Sequence, residues 1–410
     1  MSTVAEQPPA PAAPARETVR AYARRWLTDV KSGDLGSLPI IVGLILIAIV
    51  FQTQNDRFLT ASNFVNLIVQ TAPYAVIAMG VTFALLLGEI DLSIGFVSGV
   101  GGVLVALLLI PDGNELPTAV AIAVALAAGL GIGVLHGLII TKVGVPSFVV
   151  TLAGLLAWNG VVLLLIGSRG TVILQNDFVI GVANDFMAPG MAWILMVVCV
   201  ALYAGVLLVR LRNREKAGLA NDPLVIIGLR IAGLAVVLAI VVAVANQDRG
   251  IPYSGILVGA LLLFWTYVLN RTRFGRHVYA VGGNQEAARR AGIDVDRVKI
   301  ACFAIVSVMA VLGGIILASR LRSVDTNTGG GQALLYPIAA AVIGGTSLFG
   351  GRGTMKAALL GAIVMISIDN GLGLLGLSSG TKFVVTGGVL LLAVTVDSIS
   401  RRGRVHSGRA

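Results

Sequence analysis

Two acids raise the question of chemistry first. In GEIDLSIG, Gly88 to Gly95, Glu89 and Asp91 stand two residues apart between apolar runs, VIAMGVTFALLL upstream and FVSGVGGVLVALLLI downstream. A charge at membrane depth costs from ~3 to more than ~10 kcal/mol, so such acids need a partner, a proton, water or a task. Four uses fit. The segment is a broken helix at partial depth, interrupted at Gly88, in which Glu89 or Asp91 accepts backbone N–H bonds; Asp91 or Ser93 makes a credible N-cap for the following helix. It lies near the surface in water. It lines a transport route. Or it relays protons, a use that the scarcity of other acids and bases in the apolar runs disfavours. Other polar residues in apolar surroundings are candidates for a route: Asn66 and Gln70, with Asn63 and Thr71 on neighbouring turns, then Trp158 and Asn159, then Asp369 and Asn370. Hydrogen bonding between helices is the competing use for each of them. His136 beside Gly137 fits a packed polar residue better than a ligand. The three histidines and the two cysteines, Cys199 and Cys302, form no metal-ligand or disulfide pattern.

The elements that must hold these residues are set by composition. The chain has 410 residues, of which 57% are hydrophobic and only 12% charged. Soluble domains carry about 25% charged residues, so lipid is the solvent for most of this one. Each apolar run must then be helical, because unpaired backbone groups cannot be left in hydrocarbon. The expected class is an all-α, polytopic membrane bundle of about twelve spans: 38–52, 64–87, 94–110, 117–140, 147–166, 190–209, 224–245, 254–269, 300–318, 334–349, 355–373 and 379–397. The glycine-rich 334–349 is short enough to span only half the bilayer. With both termini in the cytoplasm, only Arg57, Arg169, Arg249, Arg320, Arg322 and Lys382 of the 30 lysines and arginines fall outside. Such a bias marks the inner side and explains the net charge of +10 without nucleic acid. The glycines, for example Gly95 with Gly99 and Gly129 with Gly133, have the spacing of close helix packing. An N-terminal tail, 1–37, carries EQPPAPAAPA and a mixed-charge segment able to form an amphipathic helix; a C-terminal tail covers 399–410.

The loop 270–299 is strongly polar, and NQEAARRAG within it has the signals of a short terminated helix. Asn284 suits the N-cap, Glu286 the first turn, Arg289 and Arg290 the last, and Gly292 the C′ position. Gly282 and Gly283 would allow a sharp entry. A solvated loop that only anchors topology is the alternative use. The text GRHVYAVGGNQEAARRAGIDVDRVK resembles the coupling loop of ABC importer permeases of the inner membrane, the ribose/xylose/galactose sugar group related to branched-chain amino-acid permeases. The matching positions are Gly283, Asn284, Glu286, Ala287, Ala288, Gly292 and Ile293, with Arg289 among them on the same helix. GEIDLSIG, VPSFVVTLAG (Val145 to Gly154) and AAAVIGGTSLFGGRGT (Ala339 to Thr354) resemble the same group, in the same order. The wording GEIDLS and PSFVVTLAG is nearest the xylose type.

The resemblance implies a permease domain over 38–398, with a ten-span core and a pair of spans inserted near 210–253. It implies a multi-pass inner-membrane subunit that acts as a homodimer. Its partners would be a cytoplasmic ATPase with two nucleotide-binding halves and an external sugar-binding protein, its cargo a monosaccharide such as xylose. ATP binding would move the Asn284–Ala291 helix and swap the route between inward- and outward-facing states. No cofactor belongs to this chain: G-x-x-x-x-G-K-[ST] does not occur, and GTSLFGGR has Gly-Arg where Gly-Lys is needed. ATP and Mg would belong to the partner. Two other classes compete. A proton- or sodium-coupled carrier would use Glu89 and Asp91. A membrane enzyme or scaffold would need a clustered set of His, Asp, Glu or Cys on a loop, and no loop supplies one.

Overall fold

The computed structural model describes residues 20, 24, 38–111, 115–219 and 221–406. Apart from residues 20 and 24 the expected N-terminal tail lies outside them, as do 407–410 of the C-terminal tail. Fifteen helices follow in chain order: α1 Leu38–Gln54, α2 Ala61–Leu86, α3 Ile94–Leu108, α4 Thr118–Leu138, α5 Ser147–Ile166, α6 Asp177–Asn184, α7 Pro189–Lys216, α8 Leu224–Ala245, α9 Tyr253–Arg271, α10 Arg273–Gly283, α11 Gln285–Arg290, α12 Val295–Leu321, α13 Gln332–Ile343, α14 Met355–Leu374 and α15 Ser379–His406. Every expected span falls on one of them. Eight are long and apolar enough to cross a membrane; α1, α3, α13 and the apolar part of α15, Ser379–Leu392, are shorter. The span expected over 334–349 is corrected: helix ends at Ile343, and 344–349 are turns, because Gly345 reverses the chain at a φ of 97°. The helix expected to reach 110 stops at Leu108, and α15 runs on through part of the expected tail.

The chain divides into two compact units, Ala188–Gly250 and Ser37–Met187 with Ile251–Ala410. The smaller is a hairpin of α7 packed on α8. α7 starts with Pro189 in its first turn, where the missing N–H costs nothing. It stops at Gly218, where Leu219 N–H donates to the Arg214 carbonyl at 2.9 Å. The insertion expected over 210–253 lies mostly in this unit, which begins 22 residues earlier, at Ala188.

In the larger unit α12 is the axis, packed on α2, α3 and α4. Asp294 starts it by accepting a hydrogen bond from Arg297 N–H at 3.0 Å, an N-cap. The expected role of the small residues is found here. A Cβ on Gly133 of α4 would strike the Phe303 carbonyl of α12, and one on Gly129 the side chain of Val311. Gly95 and Gly99 of α3 give the same clearance to the 328–334 segment. Close approach of backbones substitutes for the hydrophobic driving force that lipid removes. Two short antiparallel pairs join non-helical segments: β1, Thr171–Ile173, with β4, Ser323–Asp325, and β2, Phe186–Met187, with β3, Ile251–Pro252.

Candidate functional site

α11 is built as its sequence signals. Asn284 Oδ1 accepts from Ala287 N–H at 2.9 Å. At the other end Gly292 sits at a φ of 82°, where it donates to Arg289, and Ile293 N–H donates to the Ala288 carbonyl at 3.1 Å. This is the Schellman pattern, for which glycine at C′ carries no Cβ penalty. Ala288 alone is buried; Gln285, Glu286, Arg289 and Arg290 are exposed. Glu286 pairs with Arg290 at 3.3 Å and Arg289 at 3.8 Å. Such exposed pairs are worth about 0–1 kcal/mol, so the caps, not the charges, hold the helix, and its charged face is exposed.

Gly282 and Gly283 do not make a sharp entry. They end α10, and the break comes at Asn284, whose backbone is extended. Gly282 serves contact instead: a Cβ there would overlap the Leu86 carbonyl at the end of α2. The same carbonyl accepts from Gly351 N–H at 2.8 Å. Tyr279 of α10 donates to the Gly353 carbonyl at 2.8 Å, and burial pushes its phenol pKa up. Phe274 packs near Phe83 of α2, with ring centroids 6.3 Å apart. α10 thus binds α11 to both the end of α2 and the loop after α13.

GEIDLSIG is the stop of α2. Gly88, at a φ of 75°, and Glu89 donate to Leu85 and Ala84 at 2.9 and 3.0 Å, the α11 pattern again. α13 ends likewise, Gly345 and Thr346 donating to Val342 and Ala341 at 2.8 and 3.0 Å. Three of the quoted motifs are therefore glycine helix stops. Glu89 pairs with Lys299, in the second turn of α12, at 2.6 Å, and both side chains are largely buried at 16% and 11% exposure. Asp91 is buried, and its Oδ1 accepts from Ser93 N–H at 2.8 Å and Ser93 Oγ–H at 2.6 Å. Ser93 is the N-cap of α3 but its side chain makes no capping bond. Asp91 therefore closes a turn ahead of α3, the local bonding that Asx residues favour.

The fourth motif arrives from α5. Thr151 Oγ lies 3.1 Å from the Ile90 carbonyl and 2.9 Å from that of Ser147, able to donate to either. Gly154 leaves room for Ser93 and for the ring of His136. Trp158 Nε1–H donates to His136 Nε2 at 3.1 Å. An indole only donates, so the neutral ring keeps its proton on Nδ1, which has no hydrogen-bond partner among the described residues, as Asp91 Oδ2 has none. A groove of about 380 Å³ between α4 and α5 is lined by His136, Trp158 and aliphatic side chains. On the edge of this assembly Lys142 pairs with Asp296 at 2.8 Å.

A second polar group lies farther back along α2. Gln70 and Leu86 are sixteen residues apart on α2, about 24 Å at helical rise. Asn63 and Asn370 exchange hydrogen bonds at 2.9 and 3.0 Å, and Asn370 donates to Gln70 at 3.5 Å. Beside them Gln332 Nε2–H and Tyr336 O–H donate to Asp369 Oδ1, both at 3.0 Å, and Lys382 stands 3.9 Å away. Tyr74 donates to Gln332 at 3.4 Å. The candidates thus separate: Glu89, Asp91 and Ser93 belong to the motif junction, Gln70 and Asn370 to the second group. Asn66 is half-buried one turn from Gln70, and Asn159 is half-buried on α5. Tyr74, Gln332, Tyr336 and Lys382 were not legible as site residues; the only signal was the Gln332–Tyr336 spacing of four.

Residues 63–394 match the family described as "Branched-chain amino acid transport system / permease component". The chain is 35% identical over 378 residues to the xylose transport system permease protein XylH of Escherichia coli K12, covering 92% of this chain and 95% of that one. It is 33% identical to XylH of Haemophilus influenzae, covering 91% and 99%. It is 32% identical to the ribose import permease protein RbsC of Escherichia coli K12, covering 92% and 96%. No solved structure matches the chain.

Proposed function

The chain belongs to the branched-chain amino acid transport system permease family, in its ribose/xylose group of ABC monosaccharide permeases, and from that premise we propose the route by which work reaches the sugar. As a member it is a transport subunit and not an enzyme, a multi-pass protein of the cell inner membrane whose ATPase is a separate subunit. The finer reading is a permease for xylose or a related monosaccharide, working as a homodimer by alternating access. An external sugar-binding protein delivers the cargo, and an ATPase with two nucleotide-binding halves, using ATP and Mg, drives the cycle. The end holding α11 faces the cytoplasm, where the lysines and arginines gather.

The observation that carries the coupling route is the Leu86 carbonyl, held between Gly282 of α10 and the N–H of Gly351. α11 has a rigid cap at each end and an exposed charged face, so an ATPase pushing on it displaces α10 as a lever. α10 passes that displacement to α2 through Leu86 and to α14 through Tyr279 and the 344–354 loop. Lys299 and Glu89 keep α12 in step with α2. Glu89, Asp91 and Ser93 are in this reading transmission residues, with Gln70 and Asn370 nearer the sugar. A carrier driven by protons through Glu89 and Asp91 is disfavoured by the Lys299 partner, whose ammonium already occupies the Glu89 carboxylate at 2.6 Å.

The test uses the full chain in proteoliposomes with its ATPase and binding protein. Glu286→Lys reverses the exposed charge of α11 and lowers sugar-stimulated ATP hydrolysis by about tenfold or more, as charge reversal at an interface does, with unchanged membrane abundance. Normal transport by that variant removes α11 as the docking element. Uptake abolished by dissipating the proton gradient, yet indifferent to ATP, restores the carrier reading.

A further inference from the structure

The second polar group holds more hydrogen-bonding side chains than gluing helices together requires. α2 contributes Tyr74 and Gln70, α13 Gln332 and Tyr336, α14 Asp369 and Asn370, and α15 Lys382. Interhelical hydrogen bonds in membranes average about 0.6 kcal/mol, a small return for a buried layer of this size. Three of its contacts are long: Tyr74 to Gln332 at 3.4 Å, Asn370 to Gln70 at 3.5 Å and Lys382 to Asp369 at 3.9 Å. Bonds at that length are weak, so exchanging them for others loses little. Asp369 and Lys382 are 16% and 21% exposed, within reach of a solute.

The backbone points the same way. α13 is a twelve-residue broken helix, entered through Gly329, Gly330 and Gly331, and it contains Pro337, which has no N–H for the Ala333 carbonyl. Broken backbone at membrane depth is tolerated where it is buried in protein or lines a cavity, and transporter sites are built on such helices. Tyr74 lies twelve residues before Leu86 on α2, about 18 Å from the junction. The rings of Tyr74 and Tyr336 stand 5.6 Å apart at 51°, both buried, with their hydroxyls on Gln332 and Asp369.

We propose that Tyr74, Gln332, Tyr336, Asp369 and Lys382 form the place where this subunit itself reads a neutral sugar. A sugar hydroxyl both donates and accepts, so a pair of adjacent hydroxyls can replace Gln332 and Tyr336 at Asp369, or Gln70 at Asn370, without leaving a polar group unpaired. The proposal rests on the importer reading, and adds that selection continues after the external binding protein has released its cargo.

The full chain, with its ATPase and binding protein in proteoliposomes, is assayed with radiolabelled D-xylose, D-ribose and L-arabinose. Asp369→Asn and Tyr336→Phe are expected to change the ratio of uptake rates among the three sugars by about fivefold or more, the scale of one lost hydrogen bond, with unchanged membrane abundance. Should Asp369→Asn fail to insert, Tyr74→Phe, which keeps the ring, carries the same expectation. Uptake of all three sugars unchanged, or falling in parallel, overturns the proposal and leaves the importer reading standing. A wild-type chain that imports no sugar overturns both.

Discussion

The two polar regions of the larger unit are built from different materials. At the motif junction the contacts are mostly main chain: Leu86, Gly351, Gly353 and Ile90 offer backbone groups, and glycines bring them together. In the layer 18 Å away the contacts run between side chains, several of them long. A lattice of backbone bonds has one arrangement and passes displacement on. A network of side chains has many arrangements of similar energy and can exchange partners with a solute. The junction should therefore be brittle and the layer forgiving.

The largest effect expected is at Gly282. A side chain there must displace the Leu86 carbonyl, so Gly282→Val is expected to abolish ATP-driven uptake; ATP-stimulated transport within twofold of wild type would show that the junction is softer than its packing. Next comes Lys299→Met, which strands Glu89 in a largely buried position. Breaking a buried pair costs about 3–5 kcal/mol, and the residual exposure of this one places it near 2–3; thermal unfolding of the single variants and of Lys299→Met with Glu89→Gln measures it, and the double variant should recover most of the loss. The smallest effect is in the layer. Asn63→Leu with Asn370→Leu removes a reciprocal hydrogen-bonded pair together with the bonds to the Phe58 carbonyl and Gln70, and with interhelical bonds averaging about 0.6 kcal/mol it is expected to change unfolding by about 1–2 kcal/mol. A loss as large as that of Lys299→Met would erase the distinction between brittle and forgiving regions.

Much of the junction was legible because its signals are local. Asn284 and Gly292 announce a capped helix through residue types at fixed offsets, and α11 obeys them. Gly88 announced an interruption in the same way. What Glu89 faces was not legible, since Lys299 is 210 residues away and no local rule pairs them. Gly282 was misread for the same reason: a glycine before a helix suggests a turn, whereas here it leaves room for a distant carbonyl. Asp91 looked like a cap because it precedes a helix start, but it bonds Ser93 two residues on. The sugar-reading layer was half visible, in Gln70, Asp369 and Asn370. Its tyrosines were not, because a tyrosine in an apolar run looks the same whether it anchors, packs or binds.

The short ladder of β2 and β3 has one more consequence. Met187 pairs with Ile251 and Phe186 with Pro252, so the polypeptide departs for the α7–α8 hairpin and comes home through a single doorway, its two jambs about 5 Å apart at Cα. A two-residue turn is long enough to join Met187 to Ile251 across that pair, so a chain shortened by residues 188–250 is expected to keep its β2–β3 ladder.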